Sequence, residues 1–518
     1  MSVRSKLSRE VEAPVESERD VCKLPEGWAW STVGEATINF DGRRIPLKSA
    51  DRDIRSGPYP YYGASGIIDD IDDYLFDGEF LLIAEDGANL LSRSTPIAFR
   101  ATGKFWVNNH VHVVQPISVA LLGFIEHYLN SIDLSFHVTG SAQPKLTQAA
   151  LNQIRVPIAP LAEQHRIAGK LELLLAKVSS SQQRLSRVPG LLKRFRQSVL
   201  AAACSGKLTA DWREENEDVE TAIELLDRLQ AERRKSWSIS HPNRKYQEPD
   251  KLEDDDLEAI PESWLWTNFD HCASEITVGH VGPMKDRYVD SGVAFLRSQN
   301  VRPLRFDPLG LVRIPKDFQA ELTKSRLVGG EILVVRSGAN TGDCCVFPRG
   351  MEAANCADLV ITRPLTGLCA EYGAMYVASP IGQAAIGLRQ TGIAQPHFNI
   401  GAMRVKPFPL PPLSEQQEIV RRVEKLLAFA DQIEARLKQA QSHVDRLTQS
   451  LLAKAFRGEL VSTEHTLATA AGRDYESATE LLARIQLQNP RSPSPGRDKS
   501  SKTSPVVEKS KRLPASKK

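Results

Sequence analysis

At 518 residues, with 41% hydrophobic and 25% charged side chains, the chain has the balance of a soluble globular protein and length enough for three or four domains. It offers no apolar run of about eighteen residues for a membrane span and no apolar core at its N-terminus for a secretion signal, so a cytoplasmic protein is expected. Seven cysteines, odd in number and without a Cys-x-x-Cys pair, read as reduced thiols, and a net charge of +2 speaks neither for nor against a nucleic-acid partner.

In chain order, residues 1–23 form a polar N-terminal extension, and residues 24–156 a first domain that opens on "LPEGWAW" (Leu24 to Trp30). Within it, "GEFLLIAEDGANL" (Gly78 to Leu90) reads as an apolar strand running into a Gly/Asn turn, and "NNHVHVVQP" (Asn108 to Pro116) as a second strand. Residues 157–235 are a helical segment and 236–259 a polar linker. The opening marker then returns as "IPESWLW" (Ile260 to Trp266), starting a second domain over 260–408. Its strands are "GEILVVRSGANTG" (Gly330 to Gly342) and "ADLVITRP" (Ala357 to Pro364), and "TGIAQP" (Thr391 to Pro396) repeats "TGSAQP" (Thr139 to Pro144). A second helical segment follows over 409–487. The tail over 488–518 carries nine Lys/Arg against two Asp/Glu and is too poor in apolar residues to fold.

The helical segments align without a gap from Pro160/Pro412 to Leu208/Leu460. Apolar residues recur at alternating steps of four and three, as Ile419, Val423, Leu426, Ala430, Ile433, Leu437, Ala440, Val444, Leu447 and Leu451 in the second copy. This heptad seam predicts a helix about 65 Å long. Ser414 is expected as its N-cap with Gln417 three residues on, and Gly458 as its stop. In the first copy Ala162 stands where Ser414 would cap, Ser181 interrupts the seam, and Pro189-Gly190 is expected to kink the helix rather than end it. Seams of this length need a partner, and each copy is the obvious one for the other, running antiparallel if the repeat has an internal pseudo-two-fold. The fold class expected is α+β, with two mixed α/β domains joined by two long antiparallel coiled-coil helices.

A search for chemistry returns little. No Gly-x-Gly-x-x-Gly follows a strand and no phosphate loop is present. The acidic run Pro249 to Glu258 reads as a solvated linker. His110 and His112 share a strand face but have no further ligand at metal spacing, so they read as edge-strand residues. Cys344-Cys345 would be the lead for an unrecognised enzyme, and a duplicated protein-binding scaffold is a further alternative.

Two copies of Pro-Leu-x-Glu-Gln-x-x-Ile opening a long heptad helix, each preceded by Thr-Gly-x-Ala-Gln-Pro, resemble the specificity subunit of type I restriction-modification systems from about Leu24 to Leu487. The resemblance implies a non-catalytic DNA reader. Each recognition domain would read one half of a bipartite site, and the helices would fix the gap and dock two methyltransferase subunits and, through them, restriction subunits. It also implies that S-adenosylmethionine, ATP and Mg sit on those partners, with no cofactor or metal on this chain.

Trp28 to Val156 holds ten Lys/Arg against fourteen Asp/Glu, and Ile260 to Phe408 fifteen against thirteen, so DNA binding requires basic residues clustered on one face. Base reading calls for Arg, Lys, Asn and Gln. The candidates are Arg43, Arg44, Lys48, Tyr61, Tyr62, Asn89, Arg93, Asn108 and Asn109 in the first domain, and Arg297, Gln299, Asn300, Arg302, Arg336 and Asn340 in the second. Gln143 and Gln395, common to both repeats, are expected to hold a loop or a phosphate. Subunit docking is assigned to Glu163, Gln164, Glu415, Gln416 and Gln417.

Overall fold

The computed structural model describes residues 23–140, 143–252, 257–284, 286–385 and 398–488. Its labelled elements are, in chain order, β1 (Thr37–Asn39), β2 (Ser56–Gly63), β3 (Gly66–Ile71), β4 (Phe76–Ala84), β5 (Ala98–Val107), β6 (Val111–Pro116), α1 (Leu161–Cys204), α2 (Ala222–Ser240), β7 (Ala273–Val278), β8 (Ile332–Val335), β9 (Cys344–Val346), β10 (Leu359–Pro364), α3 (Leu413–Phe456) and α4 (Ala478–Gln488). Two compact units result. The first combines the residues up to Gln182 with those from Ser442, and the second is Gln183–Gln441. Among the described residues no helix is long and apolar enough to cross a membrane.

In the first unit, six strands form one sheet in the order β1-β6-β4-β5-β2-β3, antiparallel except between β2 and β5. Alternate residues of β4 serve opposite faces. Leu81 and Ile83 pack under the helix Val119–Ser131, with Leu121, Ile125 and Leu129, while Phe80 and Leu82 join Phe76, Phe105 and Val113 in an aromatic layer. The second unit repeats this logic on a smaller sheet, β7-β10-β8-β9. Ile332 and Val334 face a helix at Ala370–Ala378, and Leu333 and Val335 face a second four-stranded sheet built on Val293–Leu296.

Both long helices have 44 residues, and in each unit their segments run antiparallel. Gln182 Nε2 donates to Asp445 Oδ1 (3.2 Å) in the first unit, and Arg196 bonds Asp431 and Glu434 in the second. α1 continues through Pro189. The caps differ from expectation. Helix begins at Leu161 and at Leu413, so Pro160 and Pro412 precede it and Ser414 lies inside the first turn. The prolines bring fixed φ, and their carbonyls accept from Gln164 N and Gln416 N (3.0 Å each). The seam also drifts, because 3.6 residues per turn outruns a strict heptad. Leu447 is 43% exposed, and Leu452 and Ala455 carry the buried face onward.

The helix ends are built alike. Gly206 and Gly458 both have left-handed φ (+74° and +73°), and Glu459 N returns to Lys454 O (2.8 Å). A Cβ on Gly206 would lie 2.4 Å from Pro261 Cγ, and one on Gly458 would lie 2.4 Å from Pro25 Cγ. Each stop glycine therefore packs directly on a start marker.

Candidate nucleic-acid interface

One end of each central sheet collects the irregular loops, where binding residues commonly sit. In the first unit the segments at 41–48, 85–95, 108–110 and 143–146 meet there around a charged cluster. Asp41 Oδ2 lies 2.6 Å from His112 Nδ1, and Asp41 Oδ1 accepts from Val113 N (2.8 Å). Arg44 Nη1 donates to Glu85 Oε2 and to Val111 O (2.6 Å each), Lys145 Nζ lies 3.0 Å from Glu85 Oε1, and His112 Nε2 is 2.8 Å from Leu146 O. Burial pushes both carboxyls up. For Asp41 the hydrogen bond and charge of His112, with Val113 N and Arg44, outweigh it; for Glu85 the bonds from Arg44 and Lys145 do so; both groups end below the usual carboxylate range.

Ligand atoms of Asp41, Glu85 and His112 lie within 4.8 Å of one another, a donor set that could suit a divalent cation. The arrangement does not fit one, because Arg44 and Lys145 already neutralise Glu85 and both nitrogens of His112 face oxygen acceptors. The cluster acts as a knot tying three loops to the sheet. His112 is fully buried on β6, an interior strand, while His110 precedes the strand, so the pair does not share an edge-strand face.

Most candidate base readers are bonded within their own loops. Arg44 is held in the knot. Tyr61 is fully buried and its hydroxyl accepts from Leu47 N (3.0 Å). Tyr62 packs on Phe99 and Phe105, Asn89 closes its own loop through Thr95 and Ser94, and Arg93 donates to the carbonyls of Leu129 and Ile132. Asn108 accepts from His110 N. Arg43 is exposed over Phe76 and donates to Leu75 O, while Lys48 and Asn109 are exposed. In the second unit Asn300 is fully buried and bonds Arg297 N, Asp307 O and Leu309 O. Arg297 and Gln299 both donate to Gly310 O, and Arg302 donates to Val301 O. Arg336 pairs with Asp358 and Asn340 is exposed. Gln143 is exposed and its side chain bonds no described residue; backbone pairs between Thr139 and Lys145 close that loop. Gln395 lies outside the described residues, as do 253–256 of the acidic run and the tail after Gln488.

Several of the first domain's acids pair with its own arginines, Asp69 with Arg52, Asp72 with Arg55 and Glu126 with Arg100, and Arg100 also reaches Glu172 of α1; the excess of four acids over bases remains. Cys344 and Cys345 are buried, and burial pushes the Cys345 thiol up to about 12 and Cys344 well above its usual value, which removes the lead for a reactive thiol.

The residues assigned to docking are a correction. Glu163, Gln164, Glu415 and Gln416 are all fully buried. Trp28 Nε1 donates to Glu163 Oε1 (3.0 Å), and Glu464 N donates to Glu163 Oε2 (2.8 Å). In the second unit Trp264 Nε1 donates to Glu415 Oε2 (2.8 Å), while Thr209 Oγ1 (2.7 Å) and Arg213 reach Glu415 Oε1. Gln164 Nε2 returns to Ala159 O, and Gln416 Nε2 to Pro411 O. Each glutamate clasps a start marker, the opening of one long helix and the segment after the other. Gln417 alone of the five is exposed.

The repeat extends past Leu460. Glu220-Thr221-Ala222-Ile223-Glu224-Leu225-Leu226 and Glu476-Ser477-Ala478-Thr479-Glu480-Leu481-Leu482 open α2 and α4 with the same Thr/Ser–Glu cap, and with the same ion pair one turn later, Arg228–Glu220 and Arg484–Glu476.

A family model described as "Type I restriction modification DNA specificity domain" matches residues 25–189 and 323–440. The chain is similar to the type I restriction enzyme EcoDI specificity subunit of Escherichia coli, 28% identical over 90% of this chain and 96% of that one. To the EcoBI specificity subunit of Escherichia coli it is 31% identical, over 70% of this chain and 69% of that one. In fold it matches a chain from a structure described as the basis of complex assembly and conformational transition of the type I R-M system, with a TM-score of 0.58 and 16% identity, over 85% of this chain and all of that one. Two recognition sheets on a duplicated scaffold of clasped long helices thus coincide with a family match over more than half the sequence, and the chain belongs to the family of type I restriction-modification DNA specificity subunits.

Proposed function

We propose that this chain is the non-catalytic reader of a type I restriction-modification complex, each unit recognising one half of a bipartite asymmetric site in double-stranded DNA. The observation that carries this reading is a shared scaffold with unlike loop ends. The clasps, stop glycines and caps repeat between the units, whereas the side chains at the loop-bearing end of each sheet do not. A scaffold used twice with two different surfaces suits a target whose halves differ.

The paired helices act as a spacer. Their exposed faces, including Gln417, dock two methyltransferase subunits, and through them the restriction subunits. S-adenosylmethionine, ATP and Mg belong to those partners, and the complex works in the cytoplasm. A long-read methylome of the host with and without the gene tests this. Loss of one bipartite adenine-methylated motif on deletion is expected, and replacing Trp28 to Val156 with the matching stretch of a relative should then alter one half-site only. Persistence of every motif in the deletion strain would refute the assignment.

A further inference from the structure

In both units the residue just before the second central strand is a half-exposed titratable side chain: His110 before β6, 46% exposed, and Asp358 before β10, 42% exposed. Strand register makes them equivalent. Ala84 pairs with Val111 and Val335 with Leu359, so each stands one place beyond the last pair, facing the turn that leads into Gly-Ala-Asn.

Each is gripped from that turn on one side only. His110 Nδ1 lies 2.9 and 2.8 Å from the two Asp86 oxygens, which leaves Nε2 pointing away from the grip. Asp358 Oδ2 accepts from Ser337 Oγ (2.8 Å) and Oδ1 from Arg336 Nη1 (3.2 Å), which leaves carboxylate lone pairs unused. Asp358 also holds φ +47°, a left-handed conformation costly for a non-glycine residue, fixed by its N–H to His280 O (3.2 Å). The register position is the same in both units, although only Asp358 is left-handed there, while the chemistry is inverted: a base gripped by an acid in one, an acid gripped by Arg and Ser in the other. A side chain that both units share cannot account for two different half-sites, whereas one that differs at a shared register position can.

An exposed carboxylate is repelled by phosphates. Its place at a DNA-reading edge is explained by an amino donor, and in the major groove Asp accepts from cytosine N4. Resting on the function proposed above, we propose that position 110/358 is a specificity-determining position. Asp358 accepts a hydrogen bond from the amino group of one base in its half-site, and His110 contacts a base edge in the other. Asp86, Ser337 and Arg336 act as positioning residues.

The wild-type bipartite motif is established first by methylome, and its absence would count against the function itself rather than this site. The full-length D358A, D358N and H110A variants are then compared with wild type in the assembled complex, together with binding of the purified chains to duplexes varied one base pair at a time. D358A is expected to lower discrimination at one base pair of one half-site by about five- to hundredfold, leave the other half intact, and strengthen binding to non-cognate DNA. H110A should relax one position in the opposite half. D358N, which keeps an acceptor for Ser337, decides the matter should D358A melt early. An unchanged motif, equal weakening of both half-sites, or a uniform loss in H110A with a shallower salt slope, the mark of a phosphate contact, would overturn the proposal.

Discussion

Trp28 and Trp264 each bury an indole whose N–H requires an acceptor, and each finds a glutamate at the start of a long helix, Glu163 and Glu415. Replacing Glu415 with Ala would strand Trp264 Nε1 and take the buried carboxylate from Thr209 Oγ1 and Arg213, which keeps Gly206 O, at an expected cost of about 3–5 kcal/mol. E415Q, which keeps an acceptor for the indole, should lose less, and urea unfolding followed by hydrogen exchange would locate the loss in the second unit. Lys406 makes a different case. It is 2% exposed, donates to Gly382 O, and burial lowers its pKa from 10.5 to about 7. Between those values the unfolded chain holds a proton that the fold has released, so stability rises with pH from about 7 towards 10 and is diminished below 7. Wild type should therefore gain thermal stability between pH 6.5 and 9 relative to K406M, which lacks the titrating group. Residue roles were the least legible layer of the sequence. Arg44, Asn89, Arg93 and Asn300 have the chemistry of base readers, but irregular loops need the same donors to satisfy their own carbonyls. Nothing local distinguishes the two uses. The clasp left a trace in the repeated Trp and the repeated Glu, but nothing in the sequence shows that the glutamates are buried, and both lie in helix-opening motifs that read as docking surface.

Elements were more legible because periodicity reports burial directly. The seams over Ile167 to Val199 and Ile419 to Leu451 identified both long helices, and the Gly/Asn turns identified the ends of β4 and β8. Their caps were not, since the pattern Pro-Leu-x-Glu-Gln admits Ser414 as a cap until Pro412 is seen to occupy that place. The stop glycines give the sharpest prediction at this scale. Gly206→Ala must hold a left-handed φ and place a Cβ against Pro261, which should cost about 1–3 kcal/mol. Gly458→Ala should do the same against Pro25. Hydrogen exchange should show the first loosening Ile260 to Trp266 and the second loosening Leu24 to Trp30, with little effect on the other marker. The shared opening of α2 and α4 was readable in Glu-Thr-Ala-x-Glu-Leu-Leu and Glu-Ser-Ala-x-Glu-Leu-Leu, but an alignment that stopped at Leu460 left it out.

At the scale of the whole molecule the repeats in sequence are not the units in space. The second unit is one continuous stretch, Gln183–Gln441, whereas the first is assembled from both sides of it. Glu464 N closes the Glu163 clasp, and Ala478 N donates to Gly27 O (2.8 Å). A chain ended after Leu460 should therefore lose protection around Trp28 and Glu163 in limited proteolysis while Gln183–Gln441 stays resistant; equal loss in both would contradict the division. Sequence periodicity could announce two copies of each part but not which copy of one part adopts which copy of another, because that is decided by packing between residues hundreds of positions apart. A discontinuous unit also imposes an order of events during synthesis. About 260 residues must leave the ribosome after Gln182 before Ser442 follows, roughly 13–50 s at ordinary elongation speeds. Through that interval the second unit can be completed while the first waits with its clasp open. A message broken late in the coding region would thus yield a chain with one finished half and one unfinished half exposed to proteases, so that only full-length translation releases a reader with both halves in place.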